Sequence, residues 1–217
     1  RCSRDWSSDV CSSDLASNGM ISYRGNAPAT RLLVGTADGL DVLERAPGGE
    51  WRRGERKLAG RHVSSLAIEP VNGGVFAGIH KGGVFYSADG GSTWEERSGG
   101  ISIEHVYSVT TSVEDGKTVV YAGTEPPCTF RSTDLGKTWN ELPGWREMPG
   151  KDKWVFPMPP KMPHAKTMAV DPQNPSTIYV GVEQGGLFVS DDKGQSWREL
   201  DSYDSPDLPS YRDLHTK

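Results

Sequence analysis

Short apolar runs alternate with turn-forming clusters along most of the chain. Val84-Phe85-Tyr86 leads into a polar stretch, Ser87 to Trp94, and then into the charged run Glu95-Glu96-Arg97. An apolar run, turn chemistry and a second run predict a hairpin. The same arrangement surrounds Ser132 to Trp139 and Ser190 to Trp197. Upstream, Gly78, Gly123 and Gly181 each stand nine residues before the serine that opens the polar stretch, and each follows a β-rich pair: Phe76-Ala77, Tyr121-Ala122 and Tyr179-Val180. One more strand precedes each glycine, over His62–Ile68, His105–Thr111 and His164–Val170. These runs end in turn signals, Glu69 to Gly74, Glu114-Asp115-Gly116 and Asp171 to Pro175. Each unit therefore predicts four strands, A to D, with the polar stretch in the C–D turn.

The polar stretches share one pattern, S-x-D-x-G-x-[T/S]-W. Its fixed positions are Ser87, Asp89, Gly91 and Trp94, then Ser132, Asp134, Gly136 and Trp139, then Ser190, Asp192, Gly194 and Trp197. Serine and aspartate side chains can bond the backbone of their own turn. The glycine can take a positive φ where other residues are penalised. The tryptophan opens the outgoing strand with a large apolar face. Turn chemistry thus accounts for every fixed position, and a calcium or ligand role for the carboxylates is the lesser reading. A degenerate first copy lies upstream: Gly35 is nine residues before Glu44, and Trp51 is seven after it, with Gly48 kept and the serine and aspartate lost. Trp51, Trp94, Trp139 and Trp197 stand 43, 45 and 58 residues apart. Periods of this size, with four strands each, are those of propeller blades.

The repeated octapeptide resembles the Asp-box, or bacterial neuraminidase repeat. This resemblance implies an all-β fold: a β-propeller of four-stranded antiparallel blades with Asp-box C–D turns, as in sialidases, sortilin-like domains and photosystem-assembly-factor-like proteins. It covers residues 31–217. Blades are expected at about 31–58 (strands B to D only), 61–99, 104–142 and 164–200, with residues 211–217 opening a further strand A. About four blades are present, as the N-terminal part of a larger propeller. The competing expectation is a four-bladed ring that the tail closes, although the tail is short for a closing strand.

Alternating strand directions put the C–D and A–B turns at one end of each blade. The start of strand A, the B–C turn and the link between blades lie at the other. In sialidases of this resemblance the Asp-boxes lie away from the active site, which directs attention to the second face. His62, His105 and His164 occupy matching positions at the start of strand A. Asp213 takes that position if the tail is a fourth copy, and His215 is then level with Ser64, Tyr107 and Lys166. His80, Glu125 and Glu183 are equivalent positions in the B–C turns. Imidazoles and carboxylates converging on a cleft suit acid–base or metal chemistry. They also suit plain strand-end bonding reused from blade to blade. The connection from Trp139 to His164 is long, Pro-rich and carries Trp145 and Trp154. It reads equally as a binding loop and as a packing plug.

Two functional readings follow. The first is a binding or scaffolding propeller that holds a peptide, glycan or protein partner on the face opposite the Asp-boxes, through His62, His80, His105, His164, Lys166, His215, Trp145 and Trp154. The second is a sialidase-like glycoside hydrolase or lyase with Glu125, Glu183, His164 and Asp213 as candidates and further catalytic residues in missing blades. The resemblance would then call for three arginines, a Tyr–Glu pair and an acid/base Asp. The early Tyr/Phe-Arg-Ile-Pro motif is broken here, as Tyr23-Arg24-Gly25-Asn26-Ala27-Pro28. A metal-dependent enzyme using the histidines is a third reading. No local pair has the spacing of a zinc motif, so neither metal nor cofactor is expected from sequence.

Composition narrows the partners. The chain has 217 residues and a net charge of −5, with no basic run, so nucleic acid and anionic membrane are poor partners. No apolar stretch is long enough to span a membrane. Residues 1–30 read as a disordered or artefactual leader. Within it, Cys2 to Leu15 resemble the translation of a sequencing adapter, as found in metagenomic fragments. Cys128 is then the single remaining cysteine, and with neither a disulfide framework nor a signal peptide visible a cytoplasmic setting is expected, while the resemblance to prokaryotic Asp-box propellers implies a bacterial source. A propeller cut short exposes one apolar blade face. Self-association through it is the expected outcome, and light scattering that returns a clean monomer argues against truncation.

Overall fold

The computed structural model describes residues 29–146, 148, 151, 154, 161–183 and 185–200. The leader up to residue 28, the tail at 211–217 with Asp213 and His215, and most of the 147–160 connection lie outside the described residues.

Four antiparallel sheets follow one another along the chain. The first has three strands, β1 (Arg31–Thr36), β2 (Gly39–Glu44) and β3 (Arg52–Arg53). The second has β4 (His62–Ile68), β5 (Val75–His80), β6 (Gly83–Ser87) and β7 (Glu95–Glu96). The third has β8 (Val106–Glu114), β9 (Lys117–Thr124), β10 (Thr129–Ser132) and β11 (Asn140–Glu141). The fourth has β12 (Ala165–Val170), β13 (Ile178–Val182), β14 (Gly186–Ser190) and β15 (Arg198–Leu200). Each is a meander, and no α-helix occurs among the described residues. Among the described residues the fold is an all-β propeller of about four blades, packed in chain order as an arc that is not closed.

Strand A begins at His62 in the second blade but one residue later, at Val106 and Ala165, in the next two. The histidine is not lost from the ladder's end. The His105 carbonyl accepts the Glu125 N–H at 2.9 Å, and the His164 carbonyl accepts the Glu183 N–H at 3.1 Å.

Blades pack through the glycine of strand B. A β-carbon at Gly35 would lie 2.9 Å from the Val63 side chain of the next blade. One at Gly78 would lie 3.0 Å from Val106 and Val109, and one at Gly123 would lie 2.9 Å from Ala165. The glycine thus leaves room for strand A of the following blade, a close approach that a side chain would block. Around it, β5, β6, β9 and β10 are almost wholly buried, and Phe76, Tyr121, Phe130 and Phe188 form the inter-blade core. Hydroxyls then stitch blade to blade: Ser64 Oγ donates to the Val106 carbonyl at 2.6 Å, and Ser108 Oγ to the Ala165 carbonyl at 2.8 Å.

The Asp-box bonds are the same three times. Ser87 Oγ donates to Asp89 at 2.7 Å and accepts the Gly91 N–H at 2.7 Å. The other carboxylate oxygen accepts the Thr93 hydroxyl at 2.7 Å. Ser132–Asp134–Gly136–Thr138 and Ser190–Asp192–Gly194–Ser196 repeat this set. The box glycine has a φ of 97°, 82° and 87° in turn. The residue before it is also left-handed, at 70° for Gly90, 60° for Leu135 and 61° for Lys193, which the pattern did not reveal. Hydrogen bonds hold the carboxyls of Asp89 and Asp192 below the usual range, Asp192 at about 2, chiefly through the Ser196 hydroxyl and N–H.

The Gly123→Val variant tests the close approach. Its side chain would meet Ser108 Oγ as well as Ala165. A loss of about 1–3 kcal/mol is expected, read as a lower urea midpoint with an unchanged slope. The same substitution at Gly54, where φ is not left-handed and a β-carbon would meet only the Val42 carbonyl at 3.4 Å, should cost less than at Gly123.

Candidate functional site

The face opposite the boxes is set by register. Val75 pairs with Ile68 and with Ser87, so the A–B turn and the box share one end of the blade. His62 pairs with His80 at the other end. The equivalent ends of the next two blades bring His105 against Glu125 and His164 against Glu183.

These side chains meet across blades. The rings of His62 and His80 lie edge to face at 5.3 Å, and His80 and His105 likewise at 5.1 Å. Tyr107 touches His80 at 5.1 Å and stacks on His164 at 4.0 Å. Glu125 sits between two imidazoles, 3.9 Å from His105 Nδ1 and 3.8 Å from His164 Nδ1. Glu183 accepts His164 Nε2 at 2.6 Å and Lys166 Nζ at 2.8 Å. The cluster has a floor and a rim. Glu125 is 9% exposed and His164 5%, while His62, His80, His105, Tyr107, Lys166 and Glu183 are half-buried.

A β-bulge places the central residue of each blade here. The ladder skips Ser64, Tyr107 and Lys166, each between a paired residue at the strand start and the partner of the strand-B glycine. A bulge re-aims a side chain, and Tyr107 and Lys166 both reach the cluster. Tyr107 is the site residue that sequence reasoning passed over. Its signal was its equivalence to Lys166.

Burial and charge set the protonation states. His80 is pushed down to about 4, first by burial and then by the neighbouring His62, His105, Lys81 and His164. Burial also lowers His62. Tyr107 is raised well above the ordinary phenol range by burial and by Glu125, which its hydroxyl hydrogen-bonds. Glu183 is held at about 2, mainly by its bond from His164, against the opposing pull of burial and with further help from Lys166.

Trp145 and Trp154 turn inward rather than toward solvent. Trp145 is fully buried and Trp154 is 9% exposed. Their rings pack on Phe188 at 5.5 and 5.0 Å, and Trp145 packs on Trp197 at 4.9 Å. Their apolar faces pack into the fourth blade, and the area buried there favours the inward orientation. Asp213 and His215 lie outside the described residues.

Residues 85–96 match the BNR/Asp-box repeat. A search of the curated proteins finds no match to the chain. Among solved structures, one described as YCF48 bound to D1 peptide is 18% identical with a TM-score of 0.52, covering 80% of this chain and 50% of that one. YCF48 from Cyanidioschyzon merolae is 20% identical with a TM-score of 0.48, covering 70% and 40%. An ancestral GH74 enzyme is 16% identical with a TM-score of 0.43, covering 72% and 24%. The chain spans half or less of the length of these structures. It is a β-propeller carrying the BNR/Asp-box repeat.

The site predicts acid sensitivity. His80 is neutral in the folded chain, whereas an unfolded imidazole takes a proton below about 6.5. Its contribution is present above that pH and is lost as pH falls toward 4. Glu183, with a depressed value, contributes above about 4.5 and loses this as pH falls toward 2. Stability should therefore drop between pH 6.5 and 4 through His80, by on the order of 1 kcal/mol because a half-exposed group is screened. In His80→Asn the denaturation midpoint should be flatter across that window. An unchanged slope would remove His80 as the cause.

Proposed function

We propose that the chain is a binding propeller whose His/Glu/Tyr/Lys face, opposite the Asp-boxes, holds a peptide segment of a protein partner. One observation carries this reading. Side chains from three successive blades converge at one end, with polar rim groups that reach solvent and a buried floor that fixes them. A preorganised floor under an accessible rim lowers the ordering cost of binding. Half-exposed imidazoles and the Tyr107 ring offer flat faces and hydrogen-bond donors and acceptors. Lys166 and Glu183 offer both signs of charge to an extended backbone. The likeness in fold to a structure described as YCF48 bound to D1 peptide makes a peptide the first class of ligand to try.

General-acid catalysis by Glu183 has less support. A general acid must hold its proton near the working pH. Glu183 is held ionised at about 2 by His164 and Lys166 and is unsuited to that role.

A phage-displayed random peptide library panned on the whole chain tests the proposal. Peptides should be enriched, and Tyr107→Ala/Lys166→Ala should bind the enriched peptides at least about tenfold more weakly, or ~1.4 kcal/mol. Asp191→Asn, on the box side, should bind as the parent. Equal binding by the face variant and the parent would overturn the proposal. Hydrolysis of a fluorogenic sialoside, lost in Glu183→Gln, would replace it with the hydrolase reading.

A further inference from the structure

The same end of the molecule contains a second, separable feature. One donor atom each from His80, His105 and Glu125 lies within 4.8 Å of the other two. His80 ends β5 of one blade, His105 precedes β8 of the next, and Glu125 follows β9, so no short sequence spacing announces the group. We propose that His80, His105 and Glu125 bind a divalent transition-metal ion of the zinc class, with the remaining coordination position open to solvent or to a bound partner. This inference does not rest on peptide binding by the face.

The donor chemistry fits. Two imidazoles and one carboxylate are a common three-ligand set for zinc sites that keep one position open. Bonds of about 2.0–2.2 Å place tetrahedral ligand atoms roughly 3.3–3.6 Å apart. Glu125 Oε1 already stands 3.9 Å from His105 Nδ1. The widest separation must close by on the order of 1 Å, within reach of side-chain rotation at half-buried histidines.

The surroundings single out this trio from its neighbours. Glu125 is buried, and the imidazoles at 3.9 and 3.8 Å are beyond hydrogen-bond range of it, so they offset its desolvation less well than a dication would. The Tyr107 hydroxyl bonds the Glu125 carboxylate, and the Glu125 N–H is held by the His105 carbonyl. Such outer contacts orient ligands. The parallel pair His164 and Glu183 is excluded because Lys166 Nζ already occupies that carboxylate, and a cation there would face like charge. The Asp-box carboxylates are excluded too, since their oxygens accept bonds from their own turn.

The whole chain, free of any affinity tag and stripped with chelator, is titrated with Zn²⁺ by calorimetry. Co²⁺ is added separately and read by its visible absorption. One tightly held ion per chain is expected, with tetrahedral cobalt bands. Glu125→Gln and His105→Asn should each weaken binding at least about 100-fold, and Tyr107→Phe about tenfold. Asp191→Asn should leave it unchanged. Should the ligand variants misfold, histidine side-chain NMR of the parent gives the answer directly: Zn²⁺ must shift the His80 and His105 resonances first. The proposal is overturned if the parent binds no ion, if folded Glu125→Gln and His105→Asn bind as the parent does, or if zinc moves other histidines first.

Discussion

Everything in this molecule depends on how closely strand A of one blade can approach strand B of the blade before it. The approach is measured by the glycine at the middle of strand B. At Gly35, Gly78 and Gly123 the space a β-carbon would need is already filled by Val63, by Val106 and Val109, and by Ala165. With the strands this near, hydroxyls such as Ser64 and Ser108 can bond carbonyls of the following blade, and aromatic residues fill the wider space further out. Each blade contributes only a thin sheet, so the blades are stable as an ordered stack rather than singly. Dispersion and apolar burial at these joints, not the hydrogen bonds within a sheet, determine which blade meets which.

The Asp-box acts at the opposite end to the chemistry. It satisfies the turn internally, with both carboxylate oxygens and the serine hydroxyl consumed by the box itself. A turn that needs nothing from elsewhere can be repeated without regard to the rest of the sequence. It also keeps strand C and the short strand D in place, which lets Trp139 reach back and donate its indole N–H to the Arg97 carbonyl of the previous blade at 2.8 Å. The boxes therefore hold the scaffold while the other end remains free to vary.

Repetition explains the crowding at that other end. A residue type kept at one position of the repeat is delivered to neighbouring points of one circle. Three copies of histidine at the start of strand A are brought to one end, with His80 between the rings of His62 and His105, Glu125 between His105 and His164, and Glu183 against His164. The bulge at Tyr107 and Lys166 adds a second row. Close neighbours then alter one another: Glu183 is held ionised by His164 and Lys166, and His80 is held neutral by burial and by the neighbouring imidazoles and Lys81.

Much of this was legible in the residues. Ser, Asp and Gly in the box each have a local chemical reason for their position, and local reasons can be read without a fold. The nine-residue spacing from glycine to box serine aligns the repeats, and that alignment alone puts His62, His105 and His164 at one end. Three things were decided only by tertiary structure. The burial of Trp145 and Trp154 depends on Phe188 and Trp197, which lie more than thirty residues further on, and a Pro-rich loop cannot state which way its indoles turn. The bulge that re-aims Tyr107 is a feature of pairing between two strands and leaves no mark in either strand alone. The nearness of His80 to His105 and Glu125 arises across a blade boundary, where distance is set by the glycine contact at Gly78 and not by any sequence interval. Local hydrogen-bonding and periodicity determined the blade, and packing between blades determined the site.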